Sequence, residues 1–415
     1  MKAFLYAKIV LPAAVVIAAM LCAVSMAMPC AAADAEITRI TVNLDGNAYV
    51  YEDAPITPSD FTVAEEIALR RINAPLEKKI ELVDTYLKKG ADYKTALGVC
   101  FPLLVRFVDG LCEKVNVPCV DSVVRYENGR FYATEAKCGV AVDENKLYAA
   151  LYYTLRFSDG DRSINACKVS VAPSVTKSML QSQLVLRGEY TTDYTSSGAA
   201  RAHNVSLALG KFDGMRIEKG AKLSFNAAVG ERTAENGFKN AKIIVDGSYT
   251  DGIGGGVCQA STALYNAALL SGMKCAANAH SICPSYCPPG LDAMISSVSD
   301  LVIENNTDGD VYISVVISGA KATVRMFGEK PEYTVVPESE IVEQTPCEVE
   351  ETVDTERKYF DTGAVPGDRL LIVPGKDGIK SETFLKYYRD GEFIKRVKIR
   401  VNSYKSVPQV IAIAP

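Results

Sequence analysis

One short stretch, GGGVCQASTALYNAALLSG at residues 254–272, constrains the fold more than any other part of the chain. Glycine tolerates positive φ and close backbone approach, so the three glycines predict a loop that delivers Cys258 to the first turn of a helix. Leu264 and Ala267 then lie on adjacent faces of that helix, and Gly272 can end it. The sequence therefore predicts a helix that opens on a cysteine after a glycine loop.

Cys258 lies where a helix start favours a reactive thiol. N–H groups in the first turn lack intrahelical acceptors and the helix dipole is positive at this end, so both stabilise a thiolate. A structural thiol, buried or joined in a disulfide, suits the same glycine-rich turn. Both interpretations stay open at this point.

A thiolate nucleophile needs a base, and the chain has only two histidines, His203 and His280. His203 is interpreted as a surface or capping residue at the start of another helix. His280 lies in ANAHSICPSY, predicted as the first strand after the Cys258 helix, and Asp292 lies in GLDAMISSV on the next strand. The order Cys, His, Asp is the one that thiol acyl-transfer enzymes use for nucleophile, base and orienter.

The cysteines bear on redox state and on metals. Twelve are present, ten of them after Cys30, and this number in an exported chain predicts several disulfides. A zinc site is the rival interpretation of one region. Its four ligands would be Cys275, His280, Cys283 and Cys287. Their separations are not the paired short spacings of a zinc knuckle, so we predict no metal and no cofactor.

The N-terminus indicates the compartment. Lys2 and Lys8 precede a long apolar run of small residues that continues to Asp34, a pattern typical of a secretory signal with a cleavage site near residues 31–33. The run is also long enough to span a bilayer, so an uncleaved membrane anchor remains an alternative. Either way we expect an extracellular or cell-envelope protein.

The net charge of −5 is spread along the chain without a basic block, which argues against nucleic acid as a partner.

The residue patterns along the sequence predict a multidomain α+β protein. Hairpin signals at YENGRF and RDGEF, helical periodicity in the first half and β alternation at the end mark the parts. The predicted divisions are a signal or anchor at 1–33, an α+β domain at 37–173, a central domain at 181–328, a Pro- and Glu-rich linker at 329–348, and an all-β module at 349–415.

The central stretch resembles a known family. LSFNAAVGERTAENGFKNAKIIVDGSYTDGIGGGVCQASTALYNAALLSGM, with AHS, PPGLDA and DLVIENNTD downstream, looks like the VanW family over about residues 185–328. The preceding domain resembles a peptidoglycan-binding repeat often found before VanW domains. The tail resembles a five-glycine extracellular module that is thought to bind glycans containing N-acetylglucosamine, although its final glycine is missing.

The resemblance implies site residues as well as a place in the cell envelope. The Cys, His, Asp order is similar to the transglutaminase and papain-like core, a helix on an antiparallel sheet, with Cys258 as nucleophile, His280 as base, Asp292 as orienter and Gln259 as an oxyanion donor. The residues that would contact substrate are Arg201, Asn204, Arg232, Ser261, Thr262 and Tyr265. Family members often carry an arginine shortly before the histidine, where this chain has AANAH.

Two functions follow from these patterns. The first is a cysteine enzyme of the envelope that performs acyl transfer or amide hydrolysis on peptidoglycan peptides. The second is a non-catalytic protein that binds peptidoglycan or another wall glycan, with a structural Cys258. The membrane would be a further partner if the N-terminal segment is not cleaved.

Overall fold

The computed structural model describes residues 38–52, 71–158, 162–245 and 248–415. The predicted signal or anchor at residues 1–33 lies outside these residues. Within them, no helix combines the length and the apolar character needed to cross a bilayer. The chain forms two compact units, one from residues up to Asp121 with 136–174, the other from 122–135 with 175–415.

The first part of the chain alternates short strands with helices. Its elements in chain order are β1 (Arg39–Leu44), β2 (Asn47–Glu52), α1 (Leu76–Lys88), α2 (Tyr93–Gly98), α3 (Pro102–Val115), β3 (Val124–Glu127), β4 (Arg130–Ala133), β5 (Gly139–Val142), α4 (Glu144–Phe157), β6 (Arg162–Asn165) and β7 (Lys168–Val171). All of them except the hairpin β3–β4 belong to the first unit.

The first unit packs its helices on a small sheet. β1 pairs with β2 antiparallel and with β6 parallel. Alternating residues of β1, such as Ile40 and Val42, are fully buried against Leu104 of α3 and Leu151 of α4. Asp143 caps α4 by accepting the backbone N–H of Lys146, as a short acidic side chain does at a helix start. This is the α+β arrangement predicted for this part.

The second part of the chain is mostly strands. Its elements are α5 (Lys177–Ser182), β8 (Val185–Asp193), α6 (Ala199–Gly210), β9 (Arg216–Ile217), β10 (Lys222–Ser224), α7 (Phe225–Val229), β11 (Asn240–Val245), β12 (Ser248–Ile253), α8 (Val257–Leu270), β13 (Lys274–Ala276), β14 (Val302–Glu304), β15 (Val311–Ser318), β16 (Lys321–Gly328), β17 (Thr334–Thr345), β18 (Val349–Val353), β19 (Arg369–Val373), β20 (Gly378–Arg389), β21 (Glu392–Tyr404) and β22 (Gln409–Ile413).

The core of the second unit is helix α8 against an antiparallel sheet of strand order β8-β16-β15-β9. α8 is buried on nearly every side, from Val257 to Leu269. A helix that is enclosed all round belongs to the middle of a domain. Its many alanines, such as Ala263 and Ala267, are fully buried and keep it close to its neighbours. The helix predicted after Cys258 is therefore the central element of this unit.

The hairpin β3–β4 is part of the second unit although it lies early in the chain. Phe131 packs against Tyr312 and Phe327 of the sheet, with ring centroids 5.2 and 6.0 Å apart, and the hydroxyl of Tyr126 donates to Asp213. The predicted turn is confirmed. The prediction that this hairpin belongs to the N-terminal domain is wrong, because its aromatic residues are packed against the sheet of the second unit.

The linker prediction needs correction. The segment 329–348 is not a linker, because β17 runs through it and pairs antiparallel with β20. Just before it, β14 joins β10 and β13 in a separate sheet, while β15 and β16 pair with each other. We call β17–β22, residues 334–415, the C-terminal module. It consists of two three-stranded sheets, of strand order β17-β20-β21 and β18-β22-β19.

The chain is thus a multidomain protein of mixed helix and sheet, as predicted. The disulfide prediction is wrong for the described residues, where all ten cysteines, Cys100 to Cys347, are free thiols. The thiol in the glycine-rich turn, Cys258, is among them.

Candidate active site

The glycine loop before α8 is held by a buried asparagine on α6. The side-chain nitrogen of Asn204 donates to the carbonyls of Lys239 and Gly255, each at 2.9 Å, and its oxygen accepts the N–H of Lys239 at 2.8 Å. Gly256 is the N-cap of α8 with φ of 104°, and a Cβ there would lie 2.9 Å from Cγ of Arg201. The loop therefore requires glycine, and Cys258 is fixed in the first turn of the helix.

His280 and Asp292 face each other across a short antiparallel pairing. Asn278 and Met294 form an isolated bridge, and the two site residues lie opposite each other two positions away on the same register. Oδ2 of Asp292 accepts the backbone N–H of His280 at 2.7 Å and its ring Nδ1–H at 2.6 Å. The sequence predicted a strand for each residue, but neither residue lies within one. The strand before His280, β13, ends at Ala276.

The ring of His280 also lies beside the Cys258 thiol, close enough for each group to shift the pKa of the other. Because Nδ1 is bonded to Asp292, Nε2 is the nitrogen left for the sulfur. Cys258 is half-buried, with its sulfur 3.5 Å from the carbonyl oxygen of Ile295. The structure thus brings the predicted Cys, His and Asp together in the predicted order.

The pKa values of this trio favour a charged pair. Burial by itself would lower the pKa of His280, but its hydrogen bonds to Asp292 and Cys258 raise the pKa to about 9. Burial by itself would raise the pKa of Cys258, but the hydrogen bond and the positive charge of His280 lower it below the ordinary thiol value. A thiolate beside an imidazolium is the state that these shifts stabilise.

The other buried cysteines are shifted in the opposite direction. Burial raises the pKa of Cys100 and Cys112 to about 11 and that of Cys275 to about 12. Burial also raises the pKa of Cys283. These thiols have no histidine partner that offsets the cost of burying a negative charge. Cys258 differs from these thiols in having its pKa lowered toward the thiolate.

Asp292 is completely buried and is held from the C-terminal module. Its Oδ1 accepts the hydroxyl of Tyr404 at 2.5 Å, and its backbone carbonyl accepts Nη1 of Arg400 at 2.7 Å. Burial by itself would raise the pKa of Asp292, but hydrogen bonds from His280 and Tyr404 lower it. The carboxylate is therefore ionised when it faces the imidazole.

Gln259 does not point toward the thiol. Its side-chain nitrogen donates to the Thr192 hydroxyl at 2.8 Å and to the Asp193 carbonyl at 2.9 Å, and its oxygen accepts Nη1 of Arg201 at 2.7 Å. Its amide is occupied by these buried partners, so the expectation that Gln259 is an oxyanion donor needs correction. Its contacts instead join α8 to β8 and α6.

Four predicted substrate residues are structural. Asn204, Ser261, Thr262 and Tyr265 are buried, with exposed fractions of 0 to 3%. The hydroxyls of Ser261 and Thr262 both donate to the carbonyl of Cys258, and the Thr262 hydroxyl accepts the N–H of Ala293 at 3.0 Å. These contacts join the first turn of α8 to the residue after Asp292. They position the site and do not face a substrate.

Arg232 lies near the thiol, and Arg201 lies near Tyr286. The Arg201 guanidinium lies 5.9 Å from the ring centre of Tyr286, whose hydroxyl is 3.5 Å from Nε2 of His280. The positive charge of Arg232 helps to lower the pKa of Cys258, and its Nη1 donates to Asn226 at 2.8 Å. Both arginines are partly exposed, so they suit contact with an anionic group of a substrate.

The remaining histidine lies apart from this chemistry. His203 is exposed on α6 with Nε2 2.9 Å from the carbonyl oxygen of Gly237, the surface position predicted for it. In the parts of the chain that the structure describes, no group of three or more His, Cys, Asp or Glu side chains is arranged to hold a metal ion.

The fold and the site together define a mixed α/β protein with a Cys-His-Asp trio at the start of a buried helix. Residues 200–327 match the model of a family described as VanW like protein. The chain therefore carries a VanW-like domain, which confirms the resemblance, and all three site residues lie inside it.

Related proteins and structures cover parts of the chain. A stretch of 179 residues is 34% identical to the "Uncharacterized protein YoaR" of Bacillus subtilis (strain 168), covering 42% of this chain and 59% of that protein. The chain thus spans about three fifths of this relative. Two solved structures, "Crystal structure of HP0197-G5" and "IgA1 Protease G5 domain structure", each cover 20% of this chain, and 99% and 94% of their own chains. Their identities are 17% and 13% and their TM-scores are 0.12 and 0.13.

Proposed function

We propose that this chain is an exported cell-envelope protein that engages peptidoglycan and uses Cys258 for acyl transfer or amide hydrolysis on wall peptides. The observation that carries the proposal is the hydrogen bond between Asp292 and His280, with the ring of His280 beside the Cys258 thiol. A nucleophile, a base in contact with it and a third group that orients the base are the features of covalent acyl transfer. The helix that follows Cys258 and the sheet beside it are compatible with a transglutaminase or papain-like core.

The proposed reaction needs no cofactor. The Cys258 thiolate attacks the carbonyl carbon of an amide and forms a C–S bond, while the His280 imidazolium gives its Nε2 proton to the nitrogen as the C–N bond breaks. Water or an amine then attacks the thioester and gives a proton to His280. The C–S bond breaks and its electron pair returns to the Cys258 sulfur. Water yields a carboxylic acid, and an amine yields a new amide.

Two groups suit the charges of this reaction. The backbone N–H of Cys258 lies in the first turn of α8, where N–H groups lack intrahelical acceptors, and it takes the oxyanion role that Gln259 does not fill. The Arg232 guanidinium acts at the thiol through its positive charge and suits a carboxylate of a wall peptide. We therefore assign substrate contact to Arg232 and Arg201.

The wall as partner and the envelope as location rest on sequence. The apolar N-terminal run at 1–33 supports export, by a cleaved signal or an uncleaved anchor. The VanW-like domain and the resemblance of the flanking regions to wall-binding modules support peptidoglycan as the partner.

Thiol alkylation tests the cysteine chemistry. Purified chain is treated with iodoacetamide at pH 6, where an ordinary thiol is less than about 1% thiolate, and the modified peptides are identified by mass. We expect rapid, selective labelling of Cys258, because its thiolate is stabilised by His280. His280→Ala should slow that labelling about 10- to 100-fold.

Cys275→Ser is the matched control, because this thiol is partly buried in the same domain and lacks the histidine. Its loss should leave the labelling rate at Cys258 unchanged. The proposed cysteine chemistry would be refuted if Cys258 were labelled no faster than the other cysteines, or if His280→Ala left the labelling rate of Cys258 unchanged.

A non-catalytic wall-binding function is the second candidate, and one feature of β21 favours it. Ile399 and Val401 of this strand are 38 and 53% exposed, so they present apolar side chains on the surface of the C-terminal module. An extended ligand with apolar faces, such as a glycan strand, fits such a surface. In this function Cys258→Ser would leave wall binding intact.

A further inference from the structure

The C-terminal module supplies side chains to the buried end of the site. Tyr404 is the last residue of β21 and is 4% exposed, and its hydroxyl meets Oδ1 of Asp292 at 2.5 Å. The two residues are 112 positions apart in the chain. The contact therefore depends entirely on the packing of the module against the VanW-like domain.

The hydrogen bonds of Tyr404 fix the direction of its proton. Its hydroxyl oxygen accepts the backbone N–H of Gly290 at 2.6 Å and Nδ2 of Asn402 at 3.2 Å. A phenol hydroxyl has a single proton to donate, and these two contacts use it as acceptor. The proton is thus directed at Oδ1 of Asp292. Since Oδ2 accepts two N–H groups from His280, both oxygens of Asp292 act as acceptors.

Arg400 adds a positive charge on the same strand face. Its Nη1 donates to the backbone carbonyl of Asp292 at 2.7 Å, and Nη2 lies 3.7 Å from Oδ1 of the same residue. Nη2 is buried and has no hydrogen-bond partner of its own. The Arg400 guanidinium therefore contacts Asp292 in two ways, by a hydrogen bond to the backbone carbonyl and by the attraction between the two charges.

The loop before Asp292 is bound by two more strands of the module. The Thr383 hydroxyl of β20 donates to the carbonyl of Gly290 at 3.1 Å, and the Ser339 hydroxyl of β17 donates to that of Pro289 at 2.5 Å. Gly290 has φ of +81°, and a Cβ there would lie 2.2 Å from the Thr383 oxygen. This close approach requires glycine, and it holds the loop against the module.

We propose that Tyr404 and Arg400 are positioning residues for Asp292, so that the reactivity of Cys258 depends on the docked C-terminal module. This inference rests on the proposed cysteine chemistry. It goes beyond it in making the module a component of the catalytic site as well as a candidate binding surface.

The expected effect follows from the charges around Asp292. Its titratable neighbours, from every described element that faces it, are Tyr265, His280, Cys283, Tyr286, Cys287, Arg400 and Tyr404. Without the Tyr404 hydroxyl, the buried Oδ1 loses the hydrogen bond that holds the carboxylate in place, so Asp292 can turn away from the His280 ring and stabilises its imidazolium less well. A less stable imidazolium supports less Cys258 thiolate at low pH.

The test is the pH dependence of iodoacetamide labelling at Cys258 in the full chain. Tyr404→Phe removes only the hydroxyl. We expect the rise of the labelling rate to move up by about 1 pH unit, and the rate at pH 6 to fall on the order of 10-fold. Arg400→Lys should shift the profile in the same direction. Tyr387→Phe, the same change on β20 away from Asp292, should match the parent protein.

The outcomes separate this inference from the function on which it rests. A second measurement uses the double variant Tyr404→Phe with His280→Ala. Cys258 should be labelled no more slowly in it than in His280→Ala alone, because both changes act through the same imidazole. If the parent protein labels selectively but Tyr404→Phe and Arg400→Lys keep its profile, the positioning role is wrong and the cysteine chemistry stands. If the parent protein shows no selective labelling, both fail together.

Discussion

At the scale of single residues, the clearest difference between expectation and structure is Asn204. The sequence places it beside Arg201 in a run that suggests substrate contact, yet its side chain is completely buried. It makes hydrogen bonds to both backbone groups of Lys239 and to the carbonyl of Gly255. It therefore holds the glycine loop in the place that Cys258 requires.

Replacing Asn204 should destabilise the second unit. Asn204→Ala leaves three buried backbone groups without their partner, so we expect the free energy of unfolding to fall by about 2 to 4 kcal/mol. Urea titration followed by circular dichroism measures this loss. Asn236→Ala is the control, because that exposed side chain bonds a carbonyl near the surface and should cost less than about 1 kcal/mol. Equal losses in both variants would contradict the bracing role.

The trio was predictable from residue types and their order, and its supports were not. Cys258 follows glycines at a helix start, and His280 and Asp292 follow it within a short distance along the chain. Tyr404 and Arg400 lie more than 100 positions from Asp292 and carry no local signal, because their contacts depend on how separate sheets pack. For Tyr286, the only signal in the sequence is that it lies close to His280.

At the scale of elements, α8 depends on an unusual start. Its N-cap is Gly256 in a left-handed conformation, and no side chain caps the helix. The backbone of Arg201 and the side chain of Val205 lie about 3 Å from where a Cβ would be. The close approach of α6 is therefore built into the start of the helix that carries Cys258.

Gly256→Ala should cost more than a glycine substitution in open space. The strained φ alone costs about 1 to 2 kcal/mol, and the contact with α6 adds to it and displaces Cys258. Gly220→Ala is a matched control, because it has positive φ with nothing within 4 Å. Gly256→Ala should lower both the midpoint temperature of thermal unfolding and the rate of iodoacetamide labelling at Cys258 more than Gly220→Ala does. Identical behaviour of the two variants would mean that α6 yields to the methyl group.

Elements with local signals were predicted well. The YENGRF and RDGEF turns form hairpins, with Asn128 and Asp390 in the left-handed conformation that such two-residue turns need. The linker prediction failed at β17 because the prolines and glutamates of the segment 329–348 are typical of an extended linker. Those glutamates instead pair across strands, as Glu338 does with Lys386 and Arg396.

At the scale of the whole molecule, β21 presents different chemistry on its two faces. Arg400 and Tyr404 point to the buried Asp292, whereas Ile399 and Val401, on either side of Arg400 in the sequence, are partly exposed. The residues that hold Asp292 and the exposed apolar residues are therefore neighbours on a single strand.

Wall binding by that outer face can be measured by sedimentation. The full chain is mixed with insoluble purified peptidoglycan and centrifuged, and the pelleted fraction is compared among variants. Ile399→Glu with Val401→Glu should reduce the pelleted fraction severalfold, because charge replaces apolar contact. Ile341→Glu, on an exposed site of β17, should not. A parent chain that stays in the supernatant would argue against this surface.

The hairpin β3–β4 has a consequence for how such a protein can be rearranged by recombination. The chain enters the second unit at Ser122, returns to the first at Ala136 and leaves it again after Ser174. A gene fragment that begins at Val175 would encode the sheet without the strands on which Phe131 packs against Tyr312. Transfer of the VanW-like region to a new N-terminal partner therefore requires that partner to carry an equivalent hairpin, or the exposed aromatic surface to be covered anew.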